Sequence, residues 1–79
     1  MKNPVKAYET GEMLLDQLDM DMASLYFECS GDIFLEYVDY ENAKKAYEQF
    51  LYCVQILGKA ELVKIAEKKL YDYRIVYLN

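Results

Sequence analysis

The sequence predicts an all-α fold, an antiparallel bundle of three to four helices in one domain spanning residues 1–79. Three observations carry this. Apolar residues recur at three- and four-residue spacing along the chain, the period of a helix that keeps one face on a core. Helix boundary signals punctuate that pattern at Asn3-Pro4, Asp21, Asp39 and Gly58. Alternation of period two is absent over any useful length, and with one Pro and three Gly the chain holds no linker or low-complexity segment.

Asn3 as N-cap and Pro4 in the first turn open a helix over residues 4–18, where Tyr8, Gly11, Leu15 and Leu18 form the apolar stripe. Asp21 is the expected cap of a second helix over residues 21–37, with Met22, Leu25, Cys29 and Ile33 facing the core. The most regular pattern follows. Asp39 caps a helix over residues 40–57 in which Tyr40, Ala43, Tyr47, Phe50, Val54 and Leu57 alternate without a break, and Gly58 stops it. A fourth helix over residues 60–77 carries Val63, Ala66, Leu70, Tyr73 and Tyr77, with Lys64, Lys68, Lys69 and Arg74 elsewhere on its surface. The connections are short, so neighbouring helices run antiparallel.

A chain of 79 residues buries a small core, so a stability that is either modest or shared with a partner is expected. No apolar run reaches the roughly 18 residues of a membrane span, and Lys6, Glu9 and Glu12 follow the N-terminus too closely for a signal peptide, so a cytoplasmic protein with no membrane partner is expected. Cys29 and Cys53 lie 24 residues apart within helical patterns, with no His and no CxxC spacing. They read as two buried free thiols, or else as a disulfide between facing helices; no metal site is expected. The net charge of −5 argues against nucleic acid, whose binding needs cations to displace condensed counterions. That charge is polarised: residues 1–42 sum to −8 and residues 43–79 to +3. Such polarity either closes on itself when helices pack or is offered to a partner.

Phe27, Gly31 and Phe34 on the second helix, Ala43 and Tyr47 on the third, and Asp39-Tyr40-Glu41-Asn42-Ala43 between them make up a helix-turn-helix pattern. Gly31 and Ala43 are small enough for two helices to approach, and Phe27, Phe34 and Tyr47 fill the space beside that approach. In these residues the segment 24–57 resembles a tetratricopeptide repeat, a hairpin of about 34 residues. It departs from the repeat at Ser30, Phe50 and Gln55, where leucine, alanine and proline are usual, although Phe50 still belongs to the core stripe. The resemblance implies one repeat-like hairpin braced by the flanking helices, because a lone repeat cannot bury its apolar face. The chain is also similar to three-helix microtubule-interacting and trafficking domains, in its alanine- and tyrosine-rich central helix and in the ending Asp72-Tyr73-Arg74-Ile75-Val76-Tyr77-Leu78. Both families bind peptides or helices of other proteins.

Candidate binding residues follow from spacing. Glu28, Asp32 and Glu36 recur every four residues and share one helix face, either as ordinary solvated surface or as a site for cations. The tetratricopeptide resemblance puts them in a concave groove and implies a basic ligand. Nine tyrosines are many for this length, and Tyr26, Tyr52 and Tyr71 are either half-buried rim residues or candidates for a partner surface, where a ring supplies area and its hydroxyl stays wet. The catalytic alternative lacks parts: carboxylate-bridged metal centres recruit His, and no nucleophile with a base and no phosphate-cradling glycine loop occurs. No cofactor is implied. The expected function is thus a non-catalytic adaptor or chaperone-like module that binds a peptide or helix bearing basic residues. Two alternatives stand beside it: a self-associating structural protein, in which acidic and basic halves of different copies meet, and a small acidic inhibitor that occupies a basic protein cleft.

Overall fold

A computed structural model describes residues 2–77, apart from the side chain of Tyr73. The described residues form an all-helical bundle of α1 (Pro4–Asp16), α2 (Met20–Glu36), α3 (Tyr40–Leu57), α4 (Ala60–Leu70) and the short α5 (Tyr73–Val76). α2 packs against both α1 and α3, while α4 and α5 lie on α3. Consecutive long helices are antiparallel, so α2 and α4 run side by side in one direction: Lys59 meets Asp21, and Lys69 meets Glu28 and Asp32.

The first three connections are built alike. Leu18, Val38 and Gly58 each adopt the left-handed conformation, with φ of 62°, 61° and 68°. In each turn this residue and the next donate backbone N–H groups to the carbonyls of the preceding helix, Leu18 to Leu15 and Asp19 to Leu14, Val38 to Leu35 and Asp39 to Phe34, Gly58 to Gln55 and Lys59 to Val54. This is the Schellman arrangement, which satisfies carbonyls that a helix end leaves without partners. The residue that closes one helix also starts the next. Asp19 and Asp39 accept from the N–H groups of Met22 and Asn42, each at 3.2 Å, so the second helix is capped by Asp19 and not by Asp21. The three turns are spaced 20 residues apart, and so are Gly11 and Gly31, Leu15 and Leu35, and Ala23 and Ala43. A helix and its turn therefore constitute a 20-residue unit.

The same register governs helix packing. The ring of Phe27 lies on Gly11 so closely that a Cβ there would stand 2.9 Å from it. Twenty residues on, the ring of Tyr47 lies on Gly31, where a Cβ would stand 2.6 Å from Cδ1. Glycine is required at both positions by this approach, since an ordinary Cβ contact is 3.4 Å or longer. The core around these rings comprises Ala23, Phe34, Ala43, Phe50, Cys53, Val54, Ala66 and Ile75, and Phe27, Gly31, Phe34, Ala43, Tyr47 and Phe50 are all buried. The fully buried Ser30 hydroxyl donates to the Pro4 carbonyl at 2.8 Å and ties the start of α1 to α2.

Several expectations about faces are corrected. The α2 stripe Met22, Leu25 and Cys29 is exposed, and only Ile33 of that set is buried. The face toward the core is Ala23, Phe27, Ser30, Gly31 and Phe34, selected because the two glycine contacts lie there. Of the two cysteines, both free, Cys53 is buried and its thiol pushed up by that burial, whereas Cys29 is exposed. Leu18 is exposed because it occupies the turn. The fourth helix does not reach residue 77 but stops at Leu70, since Asp72 starts α5 by accepting from the Arg74 N–H at 2.9 Å. The new direction buries Ile75 and leaves Tyr77 exposed; the side chain of Tyr73 and the residue Leu78 lie outside the described part.

Candidate functional site

Glu28, Asp32 and Glu36 share one face of α2, as their spacing requires, and line a shallow depression of about 400 Å³ with Lys2, Leu25, Cys29 and Ile33. They are not free carboxylates. Lys69, reaching across from α4, lies 3.1 Å from Glu28 and 2.8 Å from Asp32. Its ammonium also stands 5.4 Å from the centre of the Tyr47 ring, within cation–π range. Asp32 in turn accepts from the Tyr47 hydroxyl at 2.5 Å. Glu36 is met by Lys2 at 3.1 Å, and Lys59 reaches Asp21 at 2.6 Å. The acidic half of the chain thus closes on its own basic half along α2 and α4, and the stripe bears on stability as well as on charge.

Burial would lower the pKa of Lys69, but its hydrogen bonds to Asp32 and Glu28 outweigh that and hold the ammonium above its usual value. Tyr47 moves further. Burial is the main cause, followed by the Asp32 hydrogen bond and the negative charges of Asp32 and Glu28, and together they push the phenol well above its usual 10.0. Beside this cluster, Arg74 donates to Asp72 through its side chain and its backbone, and the pair holds that carboxyl down at about 2.

The tyrosines expected at a partner surface are exposed but dispersed. Tyr26 is on the outer face of α2, beside Met22, Leu25 and Cys29 at helical spacing; Tyr52 is on α3. Tyr71 lines a groove of about 340 Å³ between α3 and the α4–α5 arm, with Leu51, Leu70, Ile75 and Val76. This groove opens where the 20-residue pattern fails: Leu51 replaces the glycine and Glu67 the ring of the earlier units, so α4 packs less closely on α3 than α3 does on α2.

A second groove, which the spacing of acidic residues did not single out, lies between α1 and α3. It holds about 390 Å³, with Val5, Tyr8 and Phe34 as apolar wall and Glu9, Glu12, Asn42 and Lys45 as polar lining. Burial is the main cause raising the Tyr8 hydroxyl, with Glu12 and Glu48 adding negative charge and Gln49 interacting with it in the opposite sense. Among the described residues neither Glu9, Glu12 nor Lys45 takes part in an ion pair, in contrast to the carboxylates of α2. The signal that finds this groove is the 20-residue register, not charge spacing along one helix. No group of three potential metal ligands occurs among the described residues, and no helix there is long and apolar enough to cross a membrane. No family model, curated protein or solved structure matches the chain.

Proposed function

We propose that the protein is a non-catalytic interaction module that binds a peptide or helix of another protein, with basic residues on the ligand and a groove between helices as its seat. The observation that carries this reading is the uncovered apolar surface. Among the described residues fourteen large apolar side chains are exposed, against twelve apolar residues in the core, four of them alanines. Burying that surface against a partner stabilises the complex by the same effect that builds the core, and exposed apolar area of this extent is a mark of interaction sites. Met22, Leu25, Tyr26 and Cys29 form one continuous outer strip on α2, and the two grooves beside α3 add apolar floors. The net charge of −5 selects for a basic ligand. The tetratricopeptide-like reading of residues 24–57 gains support from Gly31 lying under the Tyr47 ring.

Charge-driven self-association has less support, because Lys2, Lys59 and Lys69 already pair with acids of the same chain. A selection from a displayed library of short helical peptides tests the reading. Enriched sequences should combine lysine or arginine with aliphatic or aromatic residues, and binding should weaken as salt rises. Enrichment of nothing above background, or of acidic peptides, would overturn it.

A further inference from the structure

We propose that the groove between α1 and α3 receives a lysine or arginine side chain from an amphipathic helical peptide, with Glu12 holding it as Asp32 holds Lys69. This deepens the interaction-module reading and rests on it. The chain supplies its own template for the contact. Between α2 and α4, Asp32 has two partners, the Tyr47 hydroxyl and the Lys69 ammonium, and the ammonium stands over the Tyr47 ring. The 20-residue register carries this arrangement back onto α1 and α3: Asp32 becomes Glu12, Tyr47 becomes Phe27 and Lys69 becomes Gln49.

Both partners are lost in that step. Phe27 has no hydroxyl, and Gln49 has no charge. Glu12 therefore occupies the position of a carboxylate that elsewhere in the fold is held by a cation, with no cation of its own. Glu28 becomes Tyr8, whose ring makes a T-shaped contact with the Phe27 ring, centroids 5.2 Å apart, so apolar wall replaces the second carboxylate. Glu9 lines the same groove, and Glu48 lies near enough to act on Tyr8, so the groove stays negative although Lys45 borders it. Val5, Tyr8 and Phe34 offer apolar contact to the turns of a helix on either side of the incoming cation. A helix that lays an apolar stripe in a groove and adds one charge-assisted contact is a recurrent mode of peptide recognition.

The test uses an acetylated and amidated leucine–alanine helical peptide with one central lysine, and a twin with glutamine in its place, each titrated into isotopically labelled protein and followed by amide shifts. Shifts should centre on Val5, Tyr8, Glu12 and Asn42, and the glutamine twin should bind about three- to tenfold more weakly. Glu12→Gln, at an exposed position where the fold is not at stake, should erase the difference between the two peptides. Gln49→Lys should install the missing cation within the chain, raise the melting temperature and weaken the lysine peptide to the level of its twin. Equal affinity of the two peptides for the parent overturns the proposal. So do shifts confined to Met22, Leu25 and Cys29, or to the groove at Tyr71, though either leaves the interaction-module reading standing. Shifts at the α1–α3 groove that grow with protein concentration alone would assign it to a second copy and overturn the peptide as occupant. Absence of any shift, together with an empty library selection, would remove both readings.

Discussion

Gly31→Ala should be among the most damaging single-atom additions in this protein. The new Cβ would lie 2.6 Å from Tyr47 Cδ1 and 2.9 Å from Cζ, where unstrained contact begins near 3.4 Å. Tyr47 Cε1 is closer still, so the ring must retreat by roughly 1 Å in an interior packed too densely to yield freely. Tyr47 is only 1% exposed, and its hydroxyl is anchored to Asp32, so it cannot swing outward without giving up that bond. Overpacking of this kind costs about 1–3 kcal/mol. Losing a hydrogen bond to a charged group adds about 1.5–3 kcal/mol when the ring is expelled. Against this, alanine improves on glycine within a helix by about 1 kcal/mol. The net is a loss of about 1.5–5 kcal/mol, which for a domain of this size lowers the melting temperature by roughly 6–40 °C. Thermal and urea unfolding followed by circular dichroism measure it. Gly11→Ala meets the Phe27 ring at 2.9 Å, but that ring has no hydroxyl anchor and its cost should be smaller. The double variant Gly31→Ala/Tyr47→Leu should lose less than the two single changes together, because the clash disappears with the ring. If Gly31→Ala melts at or above the parent temperature, the helical preference of alanine has won and the close approach of α2 and α3 is wrong.

Leu18→Gly and Val38→Gly should each raise stability, by about 0.5–1 kcal/mol, since both side chains are exposed and sit at left-handed φ that costs an L-residue energy. The gain should be larger at Val38, whose branched Cβ tolerates that region least, and a thermal melt of each variant decides it. Alkali should weaken the α2–α3–α4 cluster. A phenol whose pKa is raised on folding contributes stability that is complete below its unfolded value of 10.0 and is lost as pH rises beyond it, and the raised Lys69 ammonium acts in the same direction. Ultraviolet titration should therefore find one tyrosine ionising last and together with loss of helical signal; ionisation of all tyrosines in one step on a folded protein would contradict the Tyr47–Asp32 bond. Asp72 behaves oppositely: its carboxyl is held down at about 2, so its contribution is present above the usual carboxylate range and fades as pH falls toward 2, and Asp72→Asn should remove that acid dependence. Lys69→Gln should lower stability modestly, by about 1 kcal/mol, and free Glu28 and Asp32 for an added basic peptide, seen as a new salt-sensitive binding step in titration calorimetry.

Replacing Glu28, Asp32 and Glu36 together by lysine separates what residue spacing implies from what packing imposes. Spacing alone treats the three as exposed charges that can be exchanged without harm to the fold. In the structure Asp32 anchors Tyr47, and Glu28 and Asp32 hold α4 through Lys69, so charge reversal removes an acceptor of the buried phenol and repels an arm of the bundle. The triple variant should therefore lose α4 docking before any partner is added. A stripe of like charges on one helix has no visible partner in sequence, because the cation that meets it comes from 37 residues away along the chain.

The sequence by itself determines the helices, their order and most of their ends, because period, capping residues and a stop glycine are local properties of the chain. It also contains the 20-residue unit, in the paired Gly11 and Gly31, Asp19 and Asp39, and Ala23 and Ala43. What it does not determine is which face of α2 is inside. Met22, Leu25 and Cys29 make as regular an apolar stripe as Ala23, Phe27 and Ser30, and the second set, though it contains a serine, is the buried one. The choice is made by Phe27 and Tyr47, whose rings come closer to the facing helix than any residue but glycine allows, and by Ser30, whose hydroxyl finds the Pro4 carbonyl once α1 has docked. Likewise Leu18 and Val38 carry none of the glycine or asparagine signal of a left-handed turn, and only the short path between packed antiparallel helices places them there. Tertiary packing decided these points because each depends on a surface supplied by another helix, and no residue carries that surface in its own neighbourhood of the chain.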